Sequence, residues 1–526
     1  MRIGEREYRS VLTAASWLWL IFLVCGSSGC IAQSYDGFSY SVSGTNITIS
    51  EYTGPGGVVT IPSSIPGVTG SVTAIGDYAF ERCSGLTGVT IPGCVTSIGG
   101  SAFEGCSGLT SLAIPSGVTF IGDGAFADCS GLTNVTIPSS VTAIGYAEFS
   151  GCSGLASVTI PGSVTLIENL AFSGCSGLTN ITIPGSVTAI GFAAFSGCRG
   201  FTDVSIPSGV TSIRDNAFSG CSGLTTVTIP SSVINIGYEA FYGCSELAAI
   251  TVDTQNASYS SVGGVLFNTN QTTLVEWPGG KGGAYAIPSS VTSIGRDAFS
   301  GCSGLTSVSI PSSVTNIGDL AYWGCSGLTS LAIPRGVTAI GYDAFEACIG
   351  LTNIIIPDSV ISIGNSAFSW CSGLTNVTIG SGSTAIADRA FYACNSLTSA
   401  YFQGEAPATF GSYVFAGAGS GFSIYYPSTA SGWSTPTWNG YPAQPYDYTP
   451  SPPQPLLSLT VGSGAATPSF NNLRPGANYQ LELSTNLSTW SSLGPAFTAT
   501  NASEVCVQTF DVTNSERLFF RLQSAP

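Results

Sequence analysis

A phrase of 23 residues recurs along most of this chain and constrains its fold more than any other feature. From Leu86 to Ile229 the phrase reads Leu-Thr-x-Val-Thr-Ile-Pro-x-x-Val-Thr-x-Ile-Gly-x-x-Ala-Phe-x-Gly-Cys-Ser-Gly, and the same spacing resumes after Ile287. A unit of this length cannot bury its apolar face alone, and it gains a core only by stacking on neighbouring units. The sequence therefore predicts a solenoid.

Each unit predicts one strand and a return along the opposite wall. In the unit 132–154, Leu132, Val135 and Ile137 have the Leu-x-x-Leu-x-Leu spacing of leucine-rich repeats, whose strands stack in parallel. Pro138 ends the strand, because proline has no N–H to donate to the ladder. The inward-pointing residues expected on the return are Val141, Ile144, Ala147 and Phe149. The predicted fold is a β-rich solenoid of 23-residue leucine-rich repeats with a parallel β-sheet, followed by a small C-terminal β-sandwich.

Two residue types recur in nearly every unit and predict buried columns. One aromatic ring per unit predicts a stacked spine, made of Phe80, Phe103, Phe126, Phe149, Phe172, Phe195, Phe218, Phe241, Phe299, Tyr322, Phe345, Phe368 and Phe391. A cysteine follows each ring by three residues, from Cys83 to Cys394. Many cysteines in an exported chain suggest disulfides, but an odd column at a buried turn favours reduced, packed thiols. Ligands spaced in a line do not favour a metal site.

The ends of the array and one longer unit predict further segments. We expect an N-terminal cap at 33–59, the repeat solenoid at 60–402, and an inserted hairpin in a longer unit at 253–287. The repeat fades into an aromatic closing cap at 403–447, a Pro-rich linker at 448–455 and a β-sandwich module at 456–526. Arginines ahead of an apolar run predict an export signal at 1–32. Cleavage after Ala32 and lipid attachment at Cys30 are the two alternatives for its end.

Composition excludes several classes of function. Histidine is absent, so histidine-dependent triads and histidine metal sites are excluded. The net charge is −16 with one lysine, Lys281, which argues against binding nucleic acid or an anionic membrane surface. No cofactor motif is present. Acidic residues recur after the Ile-Gly turn, either as a solvated column or, less simply, as a catalytic pair or calcium site: Asp77, Asp123, Asp215, Glu239, Asp297, Asp319, Asp343 and Asp388.

Aromatic residues at positions that vary between units are the candidate partner-binding residues, because a packed core does not dictate such positions. Aromatic side chains often anchor protein or sugar partners. The alternative is that they cover one another along the edge of the array. The candidates are Tyr146, Phe192, Tyr238, Tyr242, Trp323, Tyr342, Trp370 and Tyr392.

The repeat phrase, the segment Tyr259–Phe267 and the closing phrase Tyr425-Tyr426-Pro427 with Gly432-Trp433 resemble the BspA-type leucine-rich repeat surface proteins. The tail, with its Tyr479–Trp490 stretch, is similar to fibronectin-type-III-like terminal modules of exported bacterial proteins. The first resemblance implies a secreted or surface-held adhesion protein that binds proteins or cells. It supplies no fixed binding motif, so no residue role carries over.

These observations favour a non-enzymatic, exported or cell-surface recognition protein whose solenoid binds an extracellular protein or cell-surface ligand. The alternatives are a structural surface-layer or spacer protein without a selective ligand, and a glycan-binding module. We expect no catalytic residue, no cofactor, no metal site, no nucleic-acid partner and no transmembrane segment in the mature chain.

Overall fold

The computed structural model describes residues 33–446 and, beyond them, the backbone of short strands between Leu456 and Ser524. Within that part of the chain there is no helix, and most residues lie in short strands or tight turns. The predicted export signal at 1–32, with Cys30 in it, and the predicted linker at 448–455 lie outside the described residues.

Every full repeat contributes to two parallel ladders, which form two faces of the solenoid. On the first face, Val135 pairs with Val158, and on the second face, Ile144 pairs with Ile167, so the register is one 23-residue repeat. The predicted solenoid with parallel strands is thus confirmed. The prediction of one parallel sheet is wrong, because there are two. The return segments also hydrogen-bond to the return segments of neighbouring repeats, which satisfies their backbone groups.

The bounds of the strands follow this two-face pattern. Strands of the first face are Gly57–Thr60, Leu86–Thr90, Ser111–Ala113, Asn134–Thr136, Ser157–Thr159, Asp203–Ser205, Thr226–Ile229, Ala249–Val252, Gly283–Ala286, Leu305–Ser309, Ser330–Leu331, Asn353–Ile356, Asn376–Ile379 and Ser399–Phe402. Strands of the second face are Asn46–Tyr52, Ser71–Ile75, Ser97–Ile98, Phe120–Ile121, Ala143–Ile144, Leu166–Ile167, Ala189–Ile190, Ser212–Ile213, Asn235–Ile236, Thr273–Glu276, Ser293–Ile294, Asn316–Ile317, Ala339–Ile340, Ser362–Ile363, Ala385–Ile386 and Thr409–Phe410.

The third side of each repeat is a run of turns, which we name the turn edge (residues 146–151 and their equivalents). Its backbone also forms a ladder between repeats, since Phe149 N donates to Ala171 O at 2.9 Å and Gly151 N to Ser173 O at 2.7 Å. Residues two before and two after each spine ring have left-handed backbone, such as Ala147 (φ 51°) and Gly151 (φ 74°). The turn edge is therefore fixed by hydrogen bonds although it contains no strand.

The core is made of the columns that the repeat predicts. In one typical unit the buried residues are Leu155, Val158, Ile160, Val164, Ile167, Ala171, Phe172 and Cys175. The spine rings stack with centroids about one repeat apart, at 5.5 Å for Phe103–Phe126 and 5.0 Å for Phe345–Phe368. The predicted aromatic spine is confirmed, and it makes each repeat depend on its neighbours for burial.

One unit departs from the predicted inward residues. Ala147 is half-exposed, and Glu148 occupies the buried position before the spine ring, which is alanine in nearly every other repeat. The Glu148 side chain turns back so that its Oε2 accepts the Gly145 N–H at 2.7 Å. The order Ala-Glu, instead of a polar residue followed by Ala, places a carboxyl group in the core.

The cysteines of the column are free thiols, and all except Cys83 are buried. Most of these thiols donate a hydrogen bond to the main-chain oxygen of the spine residue 26 positions earlier. Cys152 Sγ, for example, donates to Phe126 O at 3.1 Å. Phe126 O also accepts the N–H of Cys129 at 3.3 Å, so the Cys152 thiol occupies the second lone pair of this oxygen. Among the described residues, these hydrogen bonds favour reduced thiols over disulfides.

Strands without the repeat period lie at both ends and in the longer unit. The N-terminal strands Gln33–Tyr35, Phe38–Ser43 and Asn46–Tyr52 pair antiparallel, and Asn46–Tyr52 begins the second face. The longer unit contains Tyr259–Val262 and Val265–Asn268, which form a three-stranded antiparallel meander with Thr273–Glu276 where one hairpin is predicted. The last strands before the tail are Ser423–Pro427, Thr437–Trp438 and Tyr441–Tyr446.

The tail backbone forms two small antiparallel sheets. Ala465–Asn471 pairs with Leu456–Gly462, Ser503–Val505 and Phe510–Asp511. Asn478–Ser484 pairs with Ser491–Ser492, Phe497–Thr498 and Phe519–Ser524. The predicted short strands are present, and their assembly into a β-sandwich stays a prediction.

Candidate functional site

All eight predicted aromatic residues lie on the turn edge. Tyr146, Phe192, Tyr238 and Tyr342 are three residues before a spine ring. Tyr242, Trp323 and Tyr392 directly follow one, and Trp370 follows at the second position. Parallel strands lie about 4.8 Å apart, so Tyr146, Phe192 and Tyr238, at intervals of two repeats, succeed one another every ~10 Å. One side of the array therefore presents a row of rings.

Exposure divides these rings into two groups. Tyr146, Phe192, Tyr238, Tyr342 and Trp370 are exposed, whereas Tyr242, Trp323 and Tyr392 are half-buried. The rings of Tyr242 and Trp323 lie 5.9 Å apart, and those of Trp370 and Tyr392 lie 6.0 Å apart with their planes near perpendicular. Each half-buried ring thus supports a neighbour.

Polar residues of the preceding repeat fix the backbone under the exposed rings. Asp215 Oδ1 accepts the Tyr238 N–H at 2.9 Å, and Asp319 Oδ1 accepts the Tyr342 N–H at 2.9 Å. Asn169 Oδ1 holds Phe192 in the same way, at 2.8 Å. These side chains of the recurring polar column therefore position the next residue of the turn edge.

Three of the predicted aromatic residues come together in one groove. Tyr342, Trp370 and Tyr392, from three successive repeats, line a groove of about 460 Å³. This volume lies within the range of small-ligand sites. The groove floor is held by the turn-edge ladder, in which Trp370 N donates to Tyr392 O at 2.8 Å. We name it the aromatic groove.

Carboxylates surround the rings of the aromatic groove. Asp343, Glu346 and Asp388 line it, together with a single cation, Arg389. The ion pairs of the described residues are Arg82–Glu81 and Arg296–Asp297, so no carboxylate of the groove is paired in the part of the chain that the structure covers. The groove therefore has a net negative charge.

Asp343 is the most buried carboxylate of the groove. Its side chain is 3% exposed, and Oδ1 accepts no hydrogen bond from any described residue. The expectation of a solvated acidic column is therefore wrong for Asp343, and it is also wrong for Asp297, the equivalent residue two repeats earlier. Both residues have the left-handed backbone that precedes the spine ring, with φ of 50° and 58°.

Burial alters the protonation of this cluster. Burial raises the pKa of Asp343, and burial together with the Asp343 charge raises the pKa of Glu346. A side-chain hydrogen bond with Asp343 raises the pKa of Tyr342 to about 12. Burial thus disfavours the charged forms of Asp343 and Glu346, and a bound cation would offset this cost.

Trp370 occupies a position that is glycine in most repeats. Its φ is 59°, whereas the equivalent Gly151 and Gly324 have φ of 74° and 68°. A bulky side chain in left-handed backbone costs on the order of 1–3 kcal/mol, and such outliers cluster at binding sites. The ring is nonetheless 51% exposed, so core packing does not account for its presence.

An intramolecular contact elsewhere on the turn edge uses the same positions. The Arg296 guanidinium lies over the Tyr238 ring, with its carbon 4.7 Å from the ring centroid. Arg296 Nε also donates to Asp297 Oδ2 at 3.2 Å. Tyr238 occupies the column of Tyr342, and Asp297, from a later repeat, occupies the column of Asp343. A tyrosine and an aspartate of these two columns, from different repeats, bind a guanidinium group here.

The described part of the chain has no cluster of side chains suited to hold a metal ion. Its cysteine, aspartate and glutamate side chains form no group of three or more that could hold a metal ion. The same residues include no helix of the length and apolarity needed to cross a membrane. The arrangement on the turn edge is suited to binding a ligand by rings and carboxylates.

The sequence predicts the rings but gives no sign that the carboxylates lie beside them. It places Asp343 and Asp388 in a recurring acidic column, and nothing in the repeat marks Glu346 or Arg389. A signal was present at Trp370, which stands where most repeats have glycine in left-handed backbone. A large ring at such a position marks a place where the chain accepts strain.

Comparison with known proteins agrees with this architecture. Residues 64–179, 166–278, 284–398 and 338–435 match the BspA type leucine rich repeat region. A leucine rich cell surface protein from Faecalibacterium prausnitzii is 31% identical, with a TM-score of 0.57 over 72% of this chain and 96% of that one. A leucine-rich repeat protein from Bacteroides ovatus is 26% identical, with a TM-score of 0.51 over 79% of this chain and 100% of that one.

Among curated proteins, none is significantly similar to this chain. The family and both structures are described by leucine-rich repeats, and the Faecalibacterium protein is also described as a cell surface protein. The matched segments cover more than half of the sequence, and they coincide with the repeats whose two parallel ladders and spine are described above. The chain belongs to the BspA-type leucine-rich repeat family.

Proposed function

We propose that this chain is a non-catalytic, exported or cell-surface recognition protein that binds an extracellular protein or cell-surface ligand through its turn edge. The observation that carries the proposal is the set of exposed rings on one hydrogen-bonded edge, which includes five of the predicted residues. Exposed rings on a rigid scaffold lose little conformational entropy on binding and can serve as anchors. Membership of a surface-protein family and the cell-surface description of the Faecalibacterium protein support it.

The remaining segments fit the same role. We infer an export signal at 1–32 with lipid attachment at Cys30 as its alternative end, and caps at 33–59 and 403–447 that close a solenoid at 60–402. The tail at 456–526 is proposed as a fibronectin-type-III-like module that holds or positions the solenoid. Its two antiparallel sheets support this assignment.

The test compares the mature full-length chain with a variant in which Tyr146, Phe192, Tyr238, Tyr342 and Trp370 are all alanine. Binding to immobilised matrix proteins and to cells is measured as a function of concentration. Saturable binding that falls at least about tenfold in the variant is expected, because a few anchors carry most of an interface's free energy.

Phe120→Ala is the matched control, because Phe120 is equally exposed but lies in a strand of the second face. The control should bind as the unaltered chain does. Absence of saturable binding to any protein or cell would favour the structural spacer, and binding to immobilised glycans alone would favour a glycan-binding module.

A further inference from the structure

We propose that the aromatic groove binds the guanidinium group of an arginine side chain presented by a protein partner. This inference rests on the proposed function, and it names the chemistry by which one part of the turn edge would recognise its ligand. The groove combines three rings, Tyr342, Trp370 and Tyr392, with three carboxylates, Asp343, Glu346 and Asp388.

Carboxylates outnumber cations in the groove. Three carboxylates face one arginine, and none of the three forms an ion pair with a described residue. Asp388 already accepts the Ser412 N–H at 2.7 Å, but Asp343 Oδ1 is buried without a hydrogen-bond partner. A buried carboxylate oxygen in this state gains most from a charged donor. A neutral ligand would leave the charge of the cluster uncompensated.

The rings select the kind of cation. The face of an aromatic ring attracts a guanidinium or ammonium group, and a planar guanidinium can stack on the ring while it donates to a carboxylate. Trp370 and Tyr392 lie with their planes at 76°, so the groove offers ring faces in two orientations. An ammonium group would be attracted too, but it cannot stack and donate from one plane.

The chain contains its own precedent for this contact. Arg296 lies over Tyr238 and donates to Asp297, residues of two different repeats that occupy the columns of Tyr342 and Asp343. In the aromatic groove the tyrosine and the aspartate are present, but Asp319 and Asn365 occupy the neighbouring positions of the Arg296 column. Arg389 lines the groove without pairing with Asp343. The Arg296 contact shows that a ring and a carboxylate of these columns can together bind a guanidinium, and a partner's arginine would use the same chemistry in the groove.

The backbone under the groove is already organised. Asp343 N donates to Asn365 O at 2.9 Å, Ser366 N to Asp388 O at 2.9 Å, and Trp370 N to Tyr392 O at 2.8 Å. The three repeats that supply the rings and carboxylates are thereby tied together. A ligand would therefore bind without ordering a loop, which limits the entropic cost.

The experiment titrates the full-length chain with an acetylated Gly-Arg-Gly amide and with the same peptide carrying citrulline, by calorimetry at low ionic strength. Citrulline keeps the shape of arginine but has no charge. The expected result is binding of the arginine peptide at least about tenfold tighter than that of the citrulline peptide, weakened by salt and by acidification from about pH 8 to about pH 4.

Two variants locate the binding. Trp370→Gly restores the residue that most repeats have at this left-handed position, so the fold is retained while the ring is removed. Asp343→Asn keeps the shape and removes the charge. Each should reduce binding of the arginine peptide at least about tenfold. Phe192→Ala, an exposed ring of the same edge outside the groove, is the control and should bind as the unaltered chain does.

Equal binding of the two peptides, no binding of either, or unchanged binding in both groove variants would overturn the inference. Preferential binding of neutral oligosaccharides, lost in Trp370→Gly, would also overturn it in favour of a sugar site. The proposed function is tested separately by surface binding. A chain that binds cells through the turn edge but ignores the arginine peptide keeps its function and loses this inference. A chain that binds the arginine peptide but no cell or protein surface would keep this inference and lose the proposed function.

Discussion

At the scale of single residues, Glu148 is the side chain that most clearly breaks the repeat. It is fully buried in the alanine column, and its Oε1 has no hydrogen-bond partner among the described residues. Burial raises the pKa of Glu148 to about 8, partly opposed by the Gly145 N–H, while Asp123 raises it further. The carboxyl group is therefore protonated in the folded chain at neutral pH, whereas it ionises in the unfolded chain at its usual value.

Glu148→Gln should therefore remove a pH dependence of stability. Because the folded state holds the proton more tightly, the contribution of Glu148 is fully present below about pH 4.5, declines as the pH rises toward about 8, and is constant above that. The decline amounts to at most about 5 kcal/mol. Urea unfolding of both chains at several pH values measures it, and parallel pH profiles of the two chains would contradict the assignment.

Tyr322 is the one tyrosine among the spine rings. It is fully buried, it stacks 4.7 Å from Phe299, and its hydroxyl has no hydrogen-bond partner in the part of the chain described. Tyr322→Phe should raise the free energy of unfolding by about 1–3 kcal/mol, because it removes a desolvated hydroxyl and keeps the ring. Phe345→Tyr, the reverse change one repeat later, should destabilise. Chemical denaturation compares the three chains, and a less stable Tyr322→Phe chain would contradict this account.

At the scale of structural elements, the cysteine column ties the turn edge to the spine. The thiols of Cys175, Cys221 and Cys394 donate to spine oxygens at 3.1 Å, and burial raises the pKa of each to about 12. A thiol in this state is a structural donor rather than a nucleophile, because the thiolate is the reactive form.

Thiol labelling of the native chain should therefore be selective. Cys94 lies outside the column and is only partly buried, so it should react with a maleimide much faster than Cys175, which is buried and whose pKa burial raises to about 12. Mass spectrometry of peptides reads each cysteine separately, and labelling in denaturant supplies the reference. Rapid modification of Cys175 in the native chain would show that the column opens readily.

Neighbouring repeats are also joined by threonine hydroxyls on the outer surfaces. Thr133 Oγ1 donates to Thr110 O at 3.1 Å, and Thr211 Oγ1 donates to Thr188 O at 3.1 Å. A hydroxyl that bonds the backbone one repeat earlier stabilises the ladder. These threonines, which directly precede strands of the two faces, thus have a structural role.

At the scale of the whole solenoid, stability is a sum over repeats and the contacts between neighbours. Phe195 stacks on Phe172 and Phe218 at 5.5 and 5.4 Å, so its loss affects three repeats directly. Phe195→Ala should destabilise these repeats by about 3–5 kcal/mol and leave those around Phe368 protected. Hydrogen exchange read repeat by repeat measures this, with Phe192→Ala as an exposed control. Uniform loss of protection along the array would indicate a single cooperative unit instead.

Most of the fold could be predicted because the same apolar positions recur in every repeat. The 23-residue period, the inward Leu, Val and Ile, and the spine rings each follow from the need of one repeat to bury its face on the next. The second parallel ladder could not be predicted with equal ease, since its two-residue strands, such as Ala143–Ile144, are too short to show an alternating pattern.

The sequence by itself therefore determined the solenoid, its register, its core columns and the set of rings that its core does not require. The tertiary structure decided which of these rings meet carboxylates, because that depends on contacts between residues more than 20 positions apart. It buried Asp343 beside Tyr342 and Trp370, left its Oδ1 without a hydrogen-bond partner among the described residues, and placed Arg296 over Tyr238. Periodicity fixes the column in which a residue lies. The burial and the hydrogen-bond partners of a polar group depend instead on side chains of adjacent repeats. Those side chains vary between repeats wherever the core does not constrain them.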